Sequence, residues 1–383
     1  MKNILMLTTS GKQGGVEKIT HTLWKELRKY YSIKVLKISV SNEEVYLYGE
    51  DEIRIGNKNL REKNKIRKIY RLIKDTILIT YYKKKYKIDL TISIGEMATL
   101  LNGLSLDMGK KIGSIHGEKV KYRDKITKII SDISFKRLNR ILCISEAIKE
   151  ETLEILGQEF KKKVKVIYNP HDYEEIKKKA NEKLEKNEED IFFNKNVFIY
   201  VGRIDENKGL AHLVKIFKYE EKLKNKKLVI IGPEPENKIY KERLKELDSE
   251  NVHYLGMKKN PYKYINKSKA LLMCSYSEGM PNVLIESLIL KVPVVTTKST
   301  EGIFEIINKH NSKVNKINDI YEGDYGIVVD KFDCGSEFLN TITEKDQKYI
   351  DSMQKIEKIK IKEFTKKFES KNIIEKYRKE IDN

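Results

Sequence analysis

Two cations lie close together just after an apolar run. Residues 197–201 are apolar, and Arg203 and Lys208 follow them, before a helical pattern begins. Open α/β folds bind ligands at the carboxyl edge of the sheet, which is where a strand end would place Arg203. An arginine can bind two phosphate oxygens at once, and Lys208 adds a second positive charge at a helix start. The spacing predicts a diphosphate site, and the alternative is an exposed loop with two solvated cations.

Two carboxylates follow a second apolar run, at 270–274. Glu278 lies in the loop, and Glu286 lies eight residues later, about one turn inside the next helical segment. The peptide N–H groups between them belong to a predicted helix N-terminus, which favours an anion or a polar ligand. We expect both carboxylates to face one cleft. The alternatives are a helix cap for Glu278 and a surface acid for Glu286.

A glycine pair, Gly14-Gly15, separates the first predicted strand from the first helical pattern. Glycines let backbone N–H groups approach an anion closely, so a phosphate contact is predicted, with an ordinary glycine turn as the alternative. The segment is neither Gly-x-Gly-x-x-Gly nor a P-loop, which disfavours a dinucleotide or nucleoside triphosphate site. His116 is a further candidate because it follows a strand-like segment, although a lone histidine is more often structural.

These residues depend on short Ile-, Val- and Leu-rich runs that alternate with longer helical segments, a pattern typical of βα units. Strands are predicted at 3–9, 33–40, 89–94, 111–115, 140–144 and 163–168, and again at 197–201, 228–231, 252–255, 270–274, 292–297 and 326–329. The charged segment 174–190 is predicted to be one exposed helix, and 355–381 a charged amphipathic helical segment. The fold class is therefore α/β, with two Rossmann-like domains. Their predicted bounds are residues 1–170, a hinge at 171–195, residues 196–360, and a C-terminal helix at 361–383 that returns to the first domain.

The positive charge is concentrated in the first half of the chain. Of the net charge of +20, residues 1–170 carry +16, and the segment 54–87 holds 13 basic and 2 acidic residues. Four tyrosines are interleaved with them, a composition that favours a membrane interface or another polyanion. The alternative is compositional drift, since lysine is abundant throughout. We expect contact with an anionic partner.

Other classes of protein are disfavoured by the composition. The 383 residues suit two medium domains, and no apolar run reaches the roughly 18 residues of a membrane span. The N-terminus enters a strand-like segment without a signal-peptide layout, so we expect a cytosolic protein. Cys143, Cys274 and Cys334 are isolated, which indicates buried structural thiols rather than disulfides or a zinc site.

Taken together, these residues resemble the retaining glycosyltransferases of the two-lobed GT-B architecture, family four in the usual sequence classification. The resemblance spans nearly the whole chain, and the run 278–307 looks especially like bacterial enzymes that build surface or lipid-linked glycans. It is carried by Gly14-Gly15-Val16-Glu17, Ser145-Glu146, Tyr168-Asn169-Pro170, Val201-Gly202-Arg203, Lys208-Gly209, Ile231-Gly232-Pro233, Tyr254-Leu255-Gly256 and the pair Glu278 and Glu286. The loop 298–304 departs from many relatives, which leaves the surroundings of the sugar open.

The resemblance implies a role for each candidate residue. Arg203 and Lys208 would neutralise the donor diphosphate, Glu278 would contact the transferred sugar, and Glu286 would hold the ribose hydroxyls. The Gly14-Gly15 loop would approach the phosphates from the opposite lobe across a cleft, and His116 would lie near the sugar and the acceptor. The remaining donor-binding candidates are Gly232 and Met257, which would border the nucleobase, and Gly279, Met280, Pro281, Asn282 and Val283.

The expected activity is transfer of a hexose or an N-acetylhexosamine from a nucleotide-diphosphate sugar, with uridine as the favoured base, to a lipid-linked or polysaccharide acceptor. No cofactor or metal is expected, because no Asp-x-Asp element is present and the two cations can replace a metal. The basic stretch 54–87 would dock the enzyme peripherally on the inner face of the membrane, and no nucleic acid is expected. Two alternatives are a polyanion-binding protein without turnover and a nucleotide-sugar epimerase. The sequence leaves the donor sugar, the linkage and the oligomeric state open.

Overall fold

The chain folds into two compact α/β units. In the computed structural model, residues 1–10, 14–40, 44–56, 65–106, 109–117, 125–193, 196–246, 250–309, 320–339 and 341–383 are described. The first unit comprises Met1–Pro170 and Lys367–Asn383, and the second comprises His171–Lys366. Parts of three sequence predictions lie outside the described residues: positions 11–13 of the glycine loop, positions 57–64 of the basic stretch, and Glu118 beside the His116 loop.

Within the described residues of the first unit, seven strands form the sheet: β1 (Asn3–Thr8), β2 (Ser32–Lys37), β3 (Glu52–Arg54), β4 (Leu90–Ile94), β5 (Lys110–Ile115), β6 (Arg140–Cys143) and β7 (Val164–Val166). All are parallel, in the order β3-β2-β1-β4-β5-β6-β7. The helices that follow them are α1 (Gly15–Leu27), α2 (Lys65–Lys85), α3 (Glu96–Leu104), α4 (Lys125–Lys136) and α5 (Glu146–Leu156). The central strands are buried on both faces, as expected for a parallel sheet covered by helices.

The second unit repeats this architecture with one reversed edge. Its strands are β8 (Val197–Val201), β9 (Lys227–Ile231), β10 (Val252–Tyr254), β11 (Ala270–Met273), β12 (Val294–Thr297), β13 (Ile320–Glu322) and β14 (Gly326–Val329). They lie in the order β10-β9-β8-β11-β12-β14-β13, and only β13 is antiparallel to its neighbour among the described strands. The helices are α6 (Tyr173–Ala180), α7 (Glu189–Phe192), α8 (Leu210–Tyr219), α9 (Lys238–Glu246), α10 (Tyr262–Ile265), α11 (Asn282–Ile289), α12 (Gly302–Ile307) and α13 (Glu344–Lys355).

The last helix, α14 (Ser370–Asp382), packs in the first unit. Ile373, Tyr377 and Ile381 form its buried face. Its Glu380 carboxylate accepts hydrogen bonds from Arg140 at 3.0 Å and Lys165 at 2.5 Å, at the start of β6 and within β7. The fold class predicted from the sequence, α/β with two Rossmann-like domains, is confirmed.

Two local predictions are wrong. The segment 174–190 is not one helix: α6 ends at Ala180, and a 3-10 turn at Lys186–Glu188 precedes α7. Side chains from the region of α10 take the carbonyls that a longer helix would use, since Asn260 donates to the Lys179 carbonyl at 2.8 Å and Lys263 to the Lys183 carbonyl at 3.0 Å. The segment 355–381 is likewise interrupted between α13 and α14.

Candidate active site

The candidate residues of the second unit flank the point at which its strand order reverses. Strand β8 is followed along the chain by β9 on one side, whereas β11 lies on its other side. The loop after β8 carries Arg203 and Lys208, and the loop after β11 carries Glu278. Ligands of open α/β sheets bind outside the carboxyl ends of the strands at such a switch point.

Asp205 joins the two cations within their loop. Its Oδ2 lies 3.2 Å from the Arg203 guanidinium, and its Oδ1 accepts the Lys208 backbone N–H at 3.1 Å. The Arg203 carbonyl accepts a hydrogen bond from the buried Tyr200 hydroxyl at 2.5 Å, which fixes the backbone. The Arg203 side chain is 68% exposed and that of Lys208 only 20%. Arg203 therefore projects into solvent, whereas Lys208 is held.

Lys208 and Glu278 form an ion pair between the two loops. The Lys208 Nζ lies 2.5 Å from Glu278 Oε1, which also accepts a hydrogen bond from the Ser275 hydroxyl at 2.7 Å. The backbone of the loops is joined as well, because the Tyr276 N–H donates to the Asn207 carbonyl at 2.8 Å. Glu278 is thus a partner of Lys208 and not a helix cap; residue 281, the N-cap of α11, makes no side-chain cap bond.

Glu286 lies inside α11 and is 5% exposed, so it is not a surface acid. The helix begins at Asn282, which places Glu286 about one turn inside it. Around the start of α11, Met280 and Pro281 are buried, whereas Gly279, Asn282 and Val283 are partly exposed.

Glycine is required where the loops of the second unit approach one another. Gly209 has a left-handed backbone (φ 60°), and a Cβ there would lie 2.3 Å from the Cys274 carbonyl oxygen. A Cβ at Gly232 would lie 2.0 Å from the Gly202 carbonyl oxygen. The Gly232 N–H also donates to the Gly256 carbonyl at 3.1 Å, which places the half-exposed Met257 next to this loop. The β8, β9 and β10 loops therefore form one continuous edge.

A buried polar cluster supports the Glu278 loop from behind. The Tyr276 hydroxyl lies 2.7 Å from Nε2 of His212 and 3.5 Å from a Glu337 carboxylate oxygen. The His212 ring is fully buried on α8 and stacks on Phe332 with 4.0 Å between ring centroids. Burial raises the pKa of the Tyr276 hydroxyl, which stays protonated and available for this contact.

The glycine pair of the first unit also lies at a switch point, between β1 and β4. Gly14 precedes α1 and Gly15 begins it. The Glu17 carboxylate accepts hydrogen bonds from Thr9 at 2.9 Å and Ser10 at 3.0 Å, and so ties the start of α1 to the end of β1.

His116 follows β5 and is held by an acid at the start of α3. Glu96, the first residue of α3, accepts the backbone N–H groups of His116 at 2.9 Å and Gly117 at 2.6 Å through one carboxylate oxygen. The His116 Nε2 lies 2.8 Å from the Ser114 hydroxyl. These contacts fix the position of the ring relative to α3.

The structure predicts a pH-dependent contribution of His116 to stability. Burial lowers the pKa of His116 to about 4, and the negative charge of Glu96 raises this pKa by a smaller amount. An unfolded histidine titrates near 6.5, so between about pH 6.5 and 4 the unfolded chain binds a proton that the folded chain does not. Stability should therefore fall as the pH is lowered through this window. His116→Gln should reduce the fall in urea midpoint between pH 7 and pH 4.5. An equal fall in the wild type and the variant would contradict the assignment of this effect to His116. Burial also lowers the pKa of His253, but His253 is present in both proteins and so does not contribute to the difference between them.

Three supporting residues escaped the sequence analysis: Glu96, Asp205 and Ser275. Each lies within a few residues of a strand end at a switch point, and that position is the one signal that could have found them.

The Ser145-Glu146 motif, by contrast, has a local structural role in α5. The Ser145 hydroxyl caps α5 by accepting the Ile148 N–H at 3.1 Å, and Glu146 pairs with Lys149 at 2.9 Å.

The prediction that all three cysteines are buried is wrong for one of them. Cys143 and Cys274 are buried at strand ends, and burial raises the pKa of the Cys143 thiol to about 12. Cys334 is exposed because it lies in a turn beyond β14.

Within the described ranges, no three acidic, histidine or cysteine side chains are grouped as a metal site would require. None of the helices described there combines the length and apolar character of a bilayer crossing.

Comparison with known proteins relates this chain to sugar-transferring enzymes. The family described as "Glycosyl transferases group 1" matches residues 181–317. An uncharacterized glycosyltransferase of Methanocaldococcus jannaschii is 31% identical over 304 residues, which cover 78% of this chain and 74% of that protein. An α-1,4-N-acetyl-D-galactosaminyltransferase of Campylobacter jejuni, named for a diphospho-undecaprenol-linked substrate, is 24% identical over 81% of this chain and 83% of its own.

A solved structure shares the whole architecture. The Anabaena protein HepE, crystallised in complex with UDP, superposes with a TM-score of 0.72 at 15% identity, and each chain is covered completely. At this identity the likeness concerns the fold alone.

Proposed function

Because this chain belongs to the glycosyl transferases group 1 family and is therefore an enzyme, we propose that it transfers a hexose or N-acetylhexosamine from a UDP-sugar to a lipid-linked or polysaccharide acceptor in bacterial surface glycan synthesis. The observation that carries the proposal is the arrangement of Arg203, Lys208 and Glu278 at the switch point of the second sheet. The name of the Campylobacter jejuni relative supports a lipid-linked acceptor, and the UDP complex of HepE supports a uridine donor.

Arg203 and Lys208 stabilise the leaving diphosphate electrostatically. When the bond between the sugar and the diphosphate breaks, negative charge develops on the diphosphate and positive character on the anomeric carbon. Fixed cations aimed at the diphosphate lower the barrier because they need no reorganisation during the reaction. Arg203 exchanges its exposed pairing with Asp205 for the phosphate oxygens, and Lys208 contacts them from beside Glu278. These contacts make a divalent metal unnecessary.

The transfer retains the anomeric configuration. The bond from the anomeric carbon to the diphosphate oxygen breaks, and the acceptor hydroxyl oxygen forms a new bond to that carbon on the same face. The proton of the acceptor hydroxyl passes to an oxygen of the leaving diphosphate. Glu278 contacts the transferred sugar, and His116, neutral at pH 7, offers a hydrogen bond to the sugar or acceptor.

The other donor contacts are distributed along the carboxyl edges of the two sheets. Glu286 holds the ribose hydroxyls, and Gly232 and Met257 border the base. The segment 279–283 leads into α11 and contributes N–H groups to the sugar or phosphate. Gly14 and Gly15 offer backbone N–H groups to phosphate oxygens.

Glu96 is expected to position His116 for turnover. Glu96→Ala removes the acceptor for two backbone N–H groups, so the His116 loop should shift and kcat should fall about tenfold or more. Glu96→Gln keeps an acceptor oxygen and should restore most of the rate. Glu146→Ala is the matched control, since Glu146 also begins a helix after a strand and pairs with Lys149 of the same helix at 2.9 Å. Equal kcat for Glu96→Ala and the control would refute the positioning role.

The enzyme docks peripherally on the inner face of the membrane through the basic stretch 54–87. Lys68, Lys74, Lys84 and Lys85 of this stretch are exposed on α2 and available to anionic headgroups. Lys83 is not, because it is buried and donates to Ser105 at 2.7 Å.

A panel of nucleotide sugars tests the proposed reaction. A donor that binds only the native protein raises its melting temperature, so a UDP-sugar should raise Tm more than the corresponding GDP- or ADP-sugar. The stabilising donor should then release UDP in the presence of a lipid-linked glycan, with the α anomer retained in the product and with the rate unchanged by EDTA. If no nucleotide sugar raised the Tm, the proposed donor class would be refuted. If EDTA abolished the rate, the proposed metal-independent transfer would be refuted.

A further inference from the structure

Five large apolar side chains lie exposed along α2, and we call them the outer stripe: Ile69, Tyr70, Ile73, Ile77 and Tyr81. Their exposed fractions range from 51% for Ile69 to 68% for Tyr70. Four of the five recur at every fourth residue and so share one face of the helix. The opposite face is buried and carries Asp75, Ile79 and Lys83. Contiguous exposed apolar surface of this kind marks an interaction site.

Cations accompany the outer stripe. Arg67, Lys68, Lys74, Lys84 and Lys85 are exposed on the same helix. The single acid of α2, Asp75, is buried and lies 3.6 Å from Arg71. The exposed surface of α2 therefore combines isoleucines and tyrosines with positive charge and presents no carboxylate of its own, which is the composition of helices that lie in a membrane interface.

A second helix of the first unit also exposes isoleucines. Ile129 and Ile133 of α4 are four residues apart and are 58% and 48% exposed. Helices α2 and α4 both pack against α3. Leu106, which is also exposed, is attached to α2 because its N–H donates to the Thr80 hydroxyl at 3.2 Å.

We propose that α2 is an interfacial helix whose outer stripe inserts into the headgroup boundary of an anionic bilayer while its cations contact the lipid phosphates. This rests on the proposed function, which places the acceptor on a membrane lipid, and it adds insertion to docking by charge. A bilayer supplies both an apolar phase and negative charge. A second copy of the chain would bring α2 cations against α2 cations, and a nucleic acid offers no apolar phase for the isoleucines.

Insertion and docking by charge differ in their response to salt. Contacts between exposed cations and headgroups are screened beyond about 8 Å at physiological ionic strength. Burial of apolar surface is not screened. Binding should therefore have a component that survives high salt and depends on the outer stripe, and a component that salt removes and that depends on the lysines.

The test compares three variants on phosphatidylcholine vesicles in which about 30% of the lipid is anionic phosphatidylserine. Ile69→Ser/Ile73→Ser/Ile77→Ser should weaken binding at least about tenfold and abolish binding at high salt, because the apolar contribution is lost. Lys68→Gln/Lys74→Gln/Lys84→Gln/Lys85→Gln should lose the salt-sensitive component. Val45→Ser/Leu47→Ser is the matched control, since both side chains are 56% exposed in the segment between β2 and β3 of the same unit, and it should bind like the wild type.

A fluorescent reporter measures insertion directly. The chain has one tryptophan, Trp24, which is largely buried, so Ile73→Trp adds one reporter to a known background. Its emission should shift to the blue on vesicles and not on soluble polyanions. No shift, or wild-type binding by the serine variant, would overturn the proposal in favour of docking by charge alone. A change of oligomeric state in the serine variant without a change in vesicle binding would overturn it in favour of a second copy.

Donor chemistry in solution separates this inference from the proposed function. UDP release with a detergent-solubilised acceptor does not require a bilayer, so the serine variant should retain it. Failure of the wild type to release UDP from any UDP-sugar would refute the proposed function, whereas the vesicle and fluorescence results would still decide the role of α2.

Discussion

Arg203→Ala is expected to lower kcat by about 100- to 1000-fold, the loss typical when one preorganised donor to a developing anion is removed. The Arg203 side chain is 68% exposed and its pairing with Asp205, at 3.2 Å, lies at the surface. Exposed pairs contribute about 0–1 kcal/mol to stability, so the melting temperature should hardly change. The combination of a large kinetic loss and intact folding identifies a group that acts on the leaving diphosphate.

Two variants make the test of Arg203 specific. Arg203→Lys keeps the charge but loses the planar fork that binds two phosphate oxygens, so it should recover only part of the rate. Lys224→Ala is the matched control, since Lys224 is 71% exposed and pairs with Glu221 at 2.5 Å on the same unit. Turnover of Arg203→Ala at the level of the control would remove Arg203 from the mechanism.

The position of these residues in the fold was predictable because strand ends define the ligand edge of a parallel sheet. All twelve strands predicted from the sequence are present, and the two described strands that the sequence did not predict, β3 and β13, are three-residue edge strands. In β3, Ile53 lies between Glu52 and Arg54, which is a charge pattern suited to an exposed edge but not to the long apolar run that a buried strand requires.

The partners of the site residues were not predictable to the same degree. Asp205 is two residues from Arg203, yet Glu278 reaches Lys208 across 70 residues of sequence, and Glu96 reaches His116 across 20. Spacing indicates which strand end a residue follows, but which side chains meet across two loops is decided by the register and order of the strands. Composition likewise located the basic stretch without showing that Lys83 is buried and that isoleucines face outward.

The second large effect is expected at the Lys208 and Glu278 pair. The two side chains are 20% and 12% exposed, and their charged atoms lie 2.5 Å apart. Removing one partner leaves the other charge poorly solvated, so Lys208→Ala and Glu278→Ala should each destabilise the fold by about 1–3 kcal/mol. The double variant should be less destabilised than the sum of the single variants, because no unpaired charge remains. Chemical denaturation of the four proteins measures this coupling.

UDP affinity distinguishes the chemical roles of the two residues because they carry opposite charges. Lys208→Ala removes a cation from the proposed diphosphate site, so it should weaken UDP binding about tenfold or more and also lower kcat. Glu278→Gln removes a negative charge beside that cation while preserving an acceptor for Ser275. It should therefore leave UDP binding unchanged or tighter, yet lower kcat by about 100-fold, because the contact with the transferred sugar is altered. If both substitutions weakened UDP binding alike, the pair would serve only to hold the two loops together, and the leaving group would depend on Arg203 alone.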